Sequence, residues 1–505
     1  MSRRSHRERR RAGSLHQLPW RRVRNPYPPL EPLSADQLEA IVDGALEILE
    51  SYGMRVLDAG CRGLLRSAGA AVDESSMMVR LDRALVLGKL ALAPAAFDLR
   101  ARNPARDLRI GEDHVVFGAV GGPAFVSDLD RGRRPGTYAE QCDYIRLVQS
   151  LEIIHQEGGG PFEAMDLPPE SRHLDLYLAQ LTLTDKNCQG FVLGRERTRD
   201  CIAMHAIALG AGEEELARRP AVLGVVNTNS PLQLDIPMGE AVLELAGAGQ
   251  VTCITPFTLA GSMSPATLAG TLVQQTAEVL AVAVLAQCVR PGAPVMYGSF
   301  ASNVDMLSGA PALGTPEYSK AAMASGQIAR RLGLPLRSSN TTSSNCVDAQ
   351  AAYESGMSLW GAILGHAHLI YHAGGWLENG LTASFEKLIV DAEMLQMMAE
   401  TLAPIPVDRD TLAIDAIRAV PPGGHHFGTV HTLSRYETAF YQPMLSSRDN
   451  FERWQEAGAP DAARRANAIW KKLLAEYEAP PIDPGIAEAL RDHVARRKRE
   501  IGTAG

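Results

Sequence analysis

Eight short stretches of this chain read as parallel strands. Their carboxyl ends gather the residues with chemical potential: Gly121 and Gly122, Glu157, Gly194, Asn227 to Asn229, Pro256 with Phe257, Ser299 with Phe300, Ser338 to Asn345, and His372 with Gly374, Gly375 and Trp376. The set has no HxH pair and no cysteine cluster at coordination spacing, so no metal site is expected. It has no carboxylate-rich magnesium site, no Schiff-base lysine on a strand and no phosphate-binding glycine loop. Instead it is polar, aromatic and largely neutral, with Glu157 its one strong acid. The faces of Phe257, Phe300 and Trp376 attract a fixed positive charge, at about 0.5–2 kcal/mol each. A carboxylate adds Coulomb attraction where the dielectric is low. Such a lining suits a cation or a zwitterion. In the plainer alternative the three aromatics only fill space, and Glu157 is a core carboxylate that must find hydrogen-bond partners.

Two loops stand out. Seven consecutive polar residues, Ser339 to Asn345, lead into a helix, where they can satisfy its first amides or hold a polar ligand. After the next strand, Gly374 and Gly375 would let the backbone approach a ligand closely, and Trp376 follows.

These positions need a frame. The strand candidates are 114–120, 153–157, 190–193, 221–227, 251–256, 294–298, 335–339 and 368–372, with helices starting near Thr137, Glu170, Thr198, Pro237, Pro265, Pro316, Val347 and Thr382. Thr137 with Glu140 makes a capping box, and Ser264-Pro265 and Thr315-Pro316 place a cap before a proline. Gly210 and Gly333 sit where helices should stop. Apolar strands alternating with helices mean a parallel sheet covered by helices. Eight such units predict an α/β fold, a TIM (β/α)8 barrel over residues 114–403, whose site lies at the strand ends. A basic arm (1–33), a helical N-terminal cap region (34–113) and a C-terminal extension (404–505) complete the expected organisation. An open doubly wound sheet fits less well, because GAVGGP at 118–123 lacks the dinucleotide-binding spacing.

Composition limits the partners. The net charge of −8 argues against a nucleic-acid binder, although Arg3, Arg4, Arg7, Arg9, Arg10, Arg11, Arg21, Arg22 and Arg24 make a local basic arm. That arm is expected to be solvated or draped over a neighbouring subunit or an acidic partner. Seven cysteines with no CxxC pair fit a reducing cytoplasm. The run from Thr271 to Cys288 is interrupted by Gln274, Gln275 and Glu278 and reads as a core helix, so no membrane span is expected.

The string GSFASNVDMLSGAPALGTPEYSKAAMASGQIARRLGLP, the DAQAAYES segment and HAGGWLENGLTASFEKLIVDAEMLQMM resemble the trimethylamine methyltransferase (MttB) family. PPGGHHFGTVHTL and YETAFYQPML, near the C-terminus, resemble it too, so the likeness covers nearly the whole chain. The resemblance implies a barrel that binds a methylated amine and passes a methyl group to Co(I) of cobalamin on a separate corrinoid protein. The chain lacks the DxHxxG signature of a cobalamin-binding domain, so no tightly bound cofactor is expected, and a homo-oligomer is.

Archaeal trimethylamine enzymes carry pyrrolysine in the loop after strand seven. Matching the DAQ segment puts its place at or near Asn345, an ordinary residue. Members without pyrrolysine resemble glycine betaine and related quaternary-amine methyltransferases. Asn345, at the place the resemblance gives to pyrrolysine, and Glu157, the one strong acid at a strand end, are the expected catalytic residues. Phe257, Phe300 and Trp376 would hold the ammonium, and Arg337, Asn340 and His372 are candidate donors to a substrate carboxylate. Glycine betaine leads as substrate. Carnitine, proline betaine, choline and trimethylamine stay open, as do a metal-free lyase or a binding protein for trimethylammonium compounds.

Overall fold

The computed structural model describes residues 15–502. Eight strands are covered on both faces, and their residues are almost all buried: β1 (His114–Ala119), β2 (Gln156–Glu157), β3 (Asn187–Cys188), β4 (Leu223–Val226), β5 (Val251–Ile254), β6 (Val295–Gly298), β7 (Leu336–Ser339) and β8 (Leu369–Gly374). They pair in parallel in the order β3-β2-β1-β8-β7-β6-β5-β4. A bridge between Gly190 and Gly224 joins the two ends. The ring of strands thus nearly closes, which removes the open edges of a sheet. This is the expected TIM barrel.

A helix follows each strand: α1 (Tyr138–Ser150), α2 (Arg172–Leu183), α3 (Gly194–Leu209), α4 (Ile236–Gly247), α5 (Leu268–Val289), α6 (Pro316–Arg331), α7 (Ala349–Leu364) and α8 (Phe385–Thr401). Thr137 and Glu140 form the expected capping box, and Thr315 caps the helix that begins at Pro316. Gly210 ends α3 in the left-handed conformation.

Several boundaries differ from expectation. α5 is capped by Thr267 rather than by Ser264, whose hydroxyl instead meets that of Thr271. α3 begins at Gly194, and Thr198 lies inside it, bonding back to the Gly194 carbonyl at 2.7 Å. β3 forms at Asn187–Cys188, earlier than the apolar run 190–193 suggests. Its register is set by polar groups inside the barrel: Gln156 Nε2 donates to Asn187 Oδ1 (2.7 Å), and Asn187 Nδ2 donates to the Ala221 carbonyl (2.9 Å). Phe191 to Leu193 are thereby freed to face the barrel mouth.

Helices Ala35–Ser51, Ala59–Ser67 and Arg83–Leu90 pack on α5. That contact explains why α5 is apolar all round. It is long and apolar enough to cross a membrane, yet 78% of its most apolar window is buried in this core. The hairpin Phe97–Leu99 and Leu108–Ile110, with Trp20, plugs the end of the barrel opposite the site. Val23–Arg24 pairs antiparallel with β1, and Leu18 and Arg21 bond to residues of α8. The backbone of this part of the basic arm therefore lies along the barrel, while Arg22 and Arg24 stay exposed. The arginines of residues 1–14 lie outside the described residues. Near the other end, helix Ala462–Ala475 packs on α8 and α1, and helix Pro484–Ile501 on α2 and α3.

Candidate active site

The loops after β1 and β8 join in one four-stranded sheet, and those after β5 and β6 in a three-stranded one. Between these rims a cavity of about 470 Å³ opens at the strand ends. Phe257, Phe300, Arg337, His372 and Trp376 all line it, as do Tyr371, Phe191, Asn227, Asn379 and Gln189.

The aromatic rings form a connected wall. Phe300 lies 5.1 Å from Phe257, 6.1 Å from Trp376 and 6.2 Å from His372, centroid to centroid. Trp376 is fixed from behind, its Nε1 donating to the Thr342 carbonyl at 3.1 Å. Its ring packs over Gly380 (φ +90°), where a side chain would strike the indole. Gly375 (φ +102°) is crowded by Tyr144 and donates its amide to Asp391 (2.8 Å), so its freedom serves packing rather than approach to a ligand.

Arg337 supplies the charge. It is among the largest fully buried side chains of the protein. Its Nη1 reaches the Ser299 carbonyl at 3.5 Å and its Nε has no partner. The guanidinium lies 5.4 Å from the Phe300 centroid and 5.0 Å from that of Tyr371. Among the described residues no carboxylate comes within ion-pair distance of it, and burial lowers its pKa. A buried cation with so few protein partners is poised to receive an anion. His372 stands beside it, its ring centroid 3.8 Å from that of Tyr371 and tilted 34° to it, with its backbone in the left-handed region (φ +54°). Burial first, then the Arg337 charge, hold its pKa well below the usual histidine range, so the ring is neutral. Its Nδ1 has no partner.

The other expected site residues lie apart from the cavity. Glu157 is fully buried, but its carboxylate faces α2. It accepts from the Gly159 amide (2.8 Å), from the Gly160 amide (3.4 Å) and from Gln180. Burial pushes its pKa up to about 7 against the pull of those donors. Asn340 is buried behind the wall, donating to the Ala373 carbonyl at 3.1 Å. Asn345 is exposed on the loop after β7, away from the cavity lining.

The polar run 339–345 is wound around Glu354 of α7. One Glu354 oxygen accepts from the Thr342 hydroxyl and from the amides of Ser343 (2.8 Å) and Ser344 (3.2 Å). Glu354 thus fixes Thr342, which in turn holds Trp376. Sequence reasoning missed Glu354, although DAQAAYES contains it, and missed Tyr371, whose hydroxyl donates to the Gly158 carbonyl at 2.5 Å. Phe191 and Val192, within the run 190–193 expected as a strand, also line the cavity.

Among the described residues, one group could offer a metal three ligands: Glu112, Asp113 and His114, whose ligand atoms lie within 4.8 Å of one another. It sits at the start of β1, at the opposite end of the barrel from the cavity.

A family model described as trimethylamine methyltransferase (MTTB) matches residues 1–502. The glycine betaine methyltransferase of Desulfitobacterium hafniense (strain Y51) is 36% identical over 471 residues, covering 93% of this chain and 98% of that protein. The trimethylamine methyltransferase MttB of Desulfitobacterium hafniense (strain DSM 10664 / DCB-2) is 30% identical over 473 residues, covering 93% and 95%. Among solved structures, the Methanosarcina barkeri monomethylamine methyltransferase (MtmB) gives a TM-score of 0.47 at 9% identity, covering 89% of this chain and 96% of that one.

Proposed function

This chain belongs to the trimethylamine methyltransferase family and is a methyltransferase, and we propose that it demethylates a quaternary amine that also carries a carboxylate, glycine betaine first. In this reading a separate corrinoid protein accepts the methyl group. The observation that carries the proposal is Arg337, a buried cation with no acidic partner among the described residues, beside an aromatic wall. A betaine presents a carboxylate and a trimethylammonium a few ångströms apart, and the cavity offers complements to both. Trimethylamine and choline lack the carboxylate, and as cations they would meet Arg337 with unfavourable charge.

The guanidinium of Arg337 takes the carboxylate through charge-assisted hydrogen bonds. Phe257 and Trp376 face the ammonium, since the faces of Phe300 and Tyr371 already attend Arg337. A neutral His372 adds no second positive charge and offers a ring nitrogen for a polar contact. Glu157 supports the wall from behind by fixing the Gly159 and Gly160 amides next to the Gly158 carbonyl that Tyr371 grips. Asn345 stays at the surface of its loop.

No proton need move at the substrate nitrogen. The C–N bond breaks with its electron pair going to nitrogen, and the amine leaves neutral. A Co(I) corrinoid, when its carrier presents it, supplies the nucleophile for the methyl group. The mouth fits a flat, largely apolar macrocycle presented from outside: Leu193 at the cavity rim and Met306, Leu307 and Leu381 on the loops after β6 and β8 are all exposed. The residues of this chain act by holding donor and acceptor in line.

Calorimetry with glycine betaine, proline betaine, carnitine, choline and trimethylamine tests the substrate class. The betaines should bind and the last two should not. Tight trimethylamine binding with no betaine signal overturns the proposal. Adding a purified Co(I) corrinoid protein should then give a betaine-dependent spectral change at the cobalt, and its absence would refute the methyl acceptor.

A further inference from the structure

The stretch after α8 is anchored at both ends and exposed between them. It leaves the barrel at Thr401, the end of α8, and returns where the Met444 and Leu445 amides donate to Glu393 of the same helix (2.8 and 3.1 Å). Between these points Ile405, Val407, Phe427, Val430, Leu433 and Phe440 point into solvent, with Phe427 79% and Val430 84% exposed. Arg435 pairs with Asp410 and Thr429 with Thr432, both within the stretch itself. The two phenylalanines alone leave roughly 300 Å² of aromatic surface in water, already the scale of the largest apolar patch on a typical monomer. With the aliphatic side chains the arm approaches the ~800 Å² that each partner buries in a standard interface.

A second surface of the same character lies on α7. Tyr353, Met357, Trp360 and Leu364 recur at helical spacing and are all exposed, which makes one apolar stripe on the outer face of that helix. The arm and the stripe belong to one chain, and its described residues cover neither.

We propose that residues 405–440 form an intersubunit arm that lies on the α7 stripe of a second copy of this chain. A two-fold pairing satisfies both surfaces in both copies at once, because each copy gives an arm and receives one. No other partner is required to cover them. Since α7 also carries Glu354, which winds the loop holding Trp376, the pairing would brace the helix beneath one wall of the cavity. The inference stands apart from the choice of substrate.

Sedimentation velocity on the full chain at micromolar concentration tests it, with Phe427→Asp plus Phe440→Asp on the arm and Trp360→Glu on the stripe. The unmodified protein should sediment as a dimer or larger, and each variant should fall to the mass of one chain with unchanged circular dichroism. A photo-crosslinking amino acid at position 427, in a mixture of isotopically light and heavy protein, should link to the peptide spanning 349–364 of the other isotopic form. The proposal is overturned if the unmodified chain is monomeric or if the variants keep its mass. It is equally overturned if the crosslink joins peptides of one chain, or if only an added corrinoid protein protects these positions.

Discussion

Replacing Arg337 by methionine separates binding from folding. If the guanidinium holds a substrate carboxylate, its removal costs the charge-assisted hydrogen bonds, at about 1.5–3 kcal/mol for a bond to a charged group. A net loss of about 3 kcal/mol weakens glycine betaine binding roughly 150-fold. The fold should not suffer in proportion. Arg337 makes one long contact at 3.5 Å, leaves Nε without a partner and has no ion pair among the described residues. Exchanging a poorly compensated buried charge for an apolar side chain of similar reach is neutral to stabilising, by up to about 4 kcal/mol. So the ligand-free Tm should hold or rise, while the increase in Tm on adding glycine betaine should vanish. Choline should bind no worse than before, because a repelling charge has gone. Calorimetry and thermal unfolding of the same samples read all three quantities. A variant that binds glycine betaine within about threefold of the original would refute the carboxylate role. A variant that simply unfolds would show Arg337 to be structural.

Four further outcomes follow from the same geometry. Trp376→Ala should weaken betaine binding by about 1–3 kcal/mol, from lost cation–π attraction and packing, and should leave the circular dichroism unchanged. Glu354→Ala should lower both betaine affinity and stability, because it frees the amides of Ser343 and Ser344 and the Thr342 anchor of Trp376; Glu354→Gln should restore part of each, and full affinity in the alanine variant would dissociate that loop from the site. Glu157 titrates near pH 7 in the folded chain and near 4.3 when unfolded. The folded state therefore holds the proton longer, and stability falls as the pH rises from about 4.3 to 7. Glu157→Gln should remove that slope, with a gain of up to about 4 kcal/mol above pH 7 that denaturant unfolding at pH 5 and pH 8 can measure. Lys387 and Asp391 form a fully buried ion pair. Lys387→Met alone should cost about 3–5 kcal/mol, and Lys387→Met with Asp391→Leu much less; urea titrations compare the two.

The barrel was legible because it is written in local signals. Strands that are apolar throughout, caps such as Thr137 and Thr315, and glycine stops such as Gly210 each depend on a few neighbouring residues. β3 escaped because its register comes from side chains inside the barrel: Asn187 answers Gln156 and the Ala221 carbonyl. No window of sequence contains those partners. The start of α5 slipped for a related reason. Ser264 before Pro265 reads as the cap, but its hydroxyl is engaged by Thr271 and Thr267 caps the helix instead.

The site shows where that kind of reading stops. A strand end is a fair predictor of depth, and it brought Phe257, Phe300, Arg337, His372 and Trp376 to one cavity. It does not fix the side on which a residue stands, because successive side chains of a strand point to opposite faces. Gln156 takes the barrel interior, so Glu157 must turn outward to α2, and there it finds Gln180 and two glycine amides. The acid that looked like the counter-charge for a cation is thereby removed from the cavity. What remains inside is the opposite charge, on Arg337. On the proposed reading, a cavity that keeps a cation and turns its acid away would take a ligand that brings its own carboxylate, with the ammonium left to the aromatic faces.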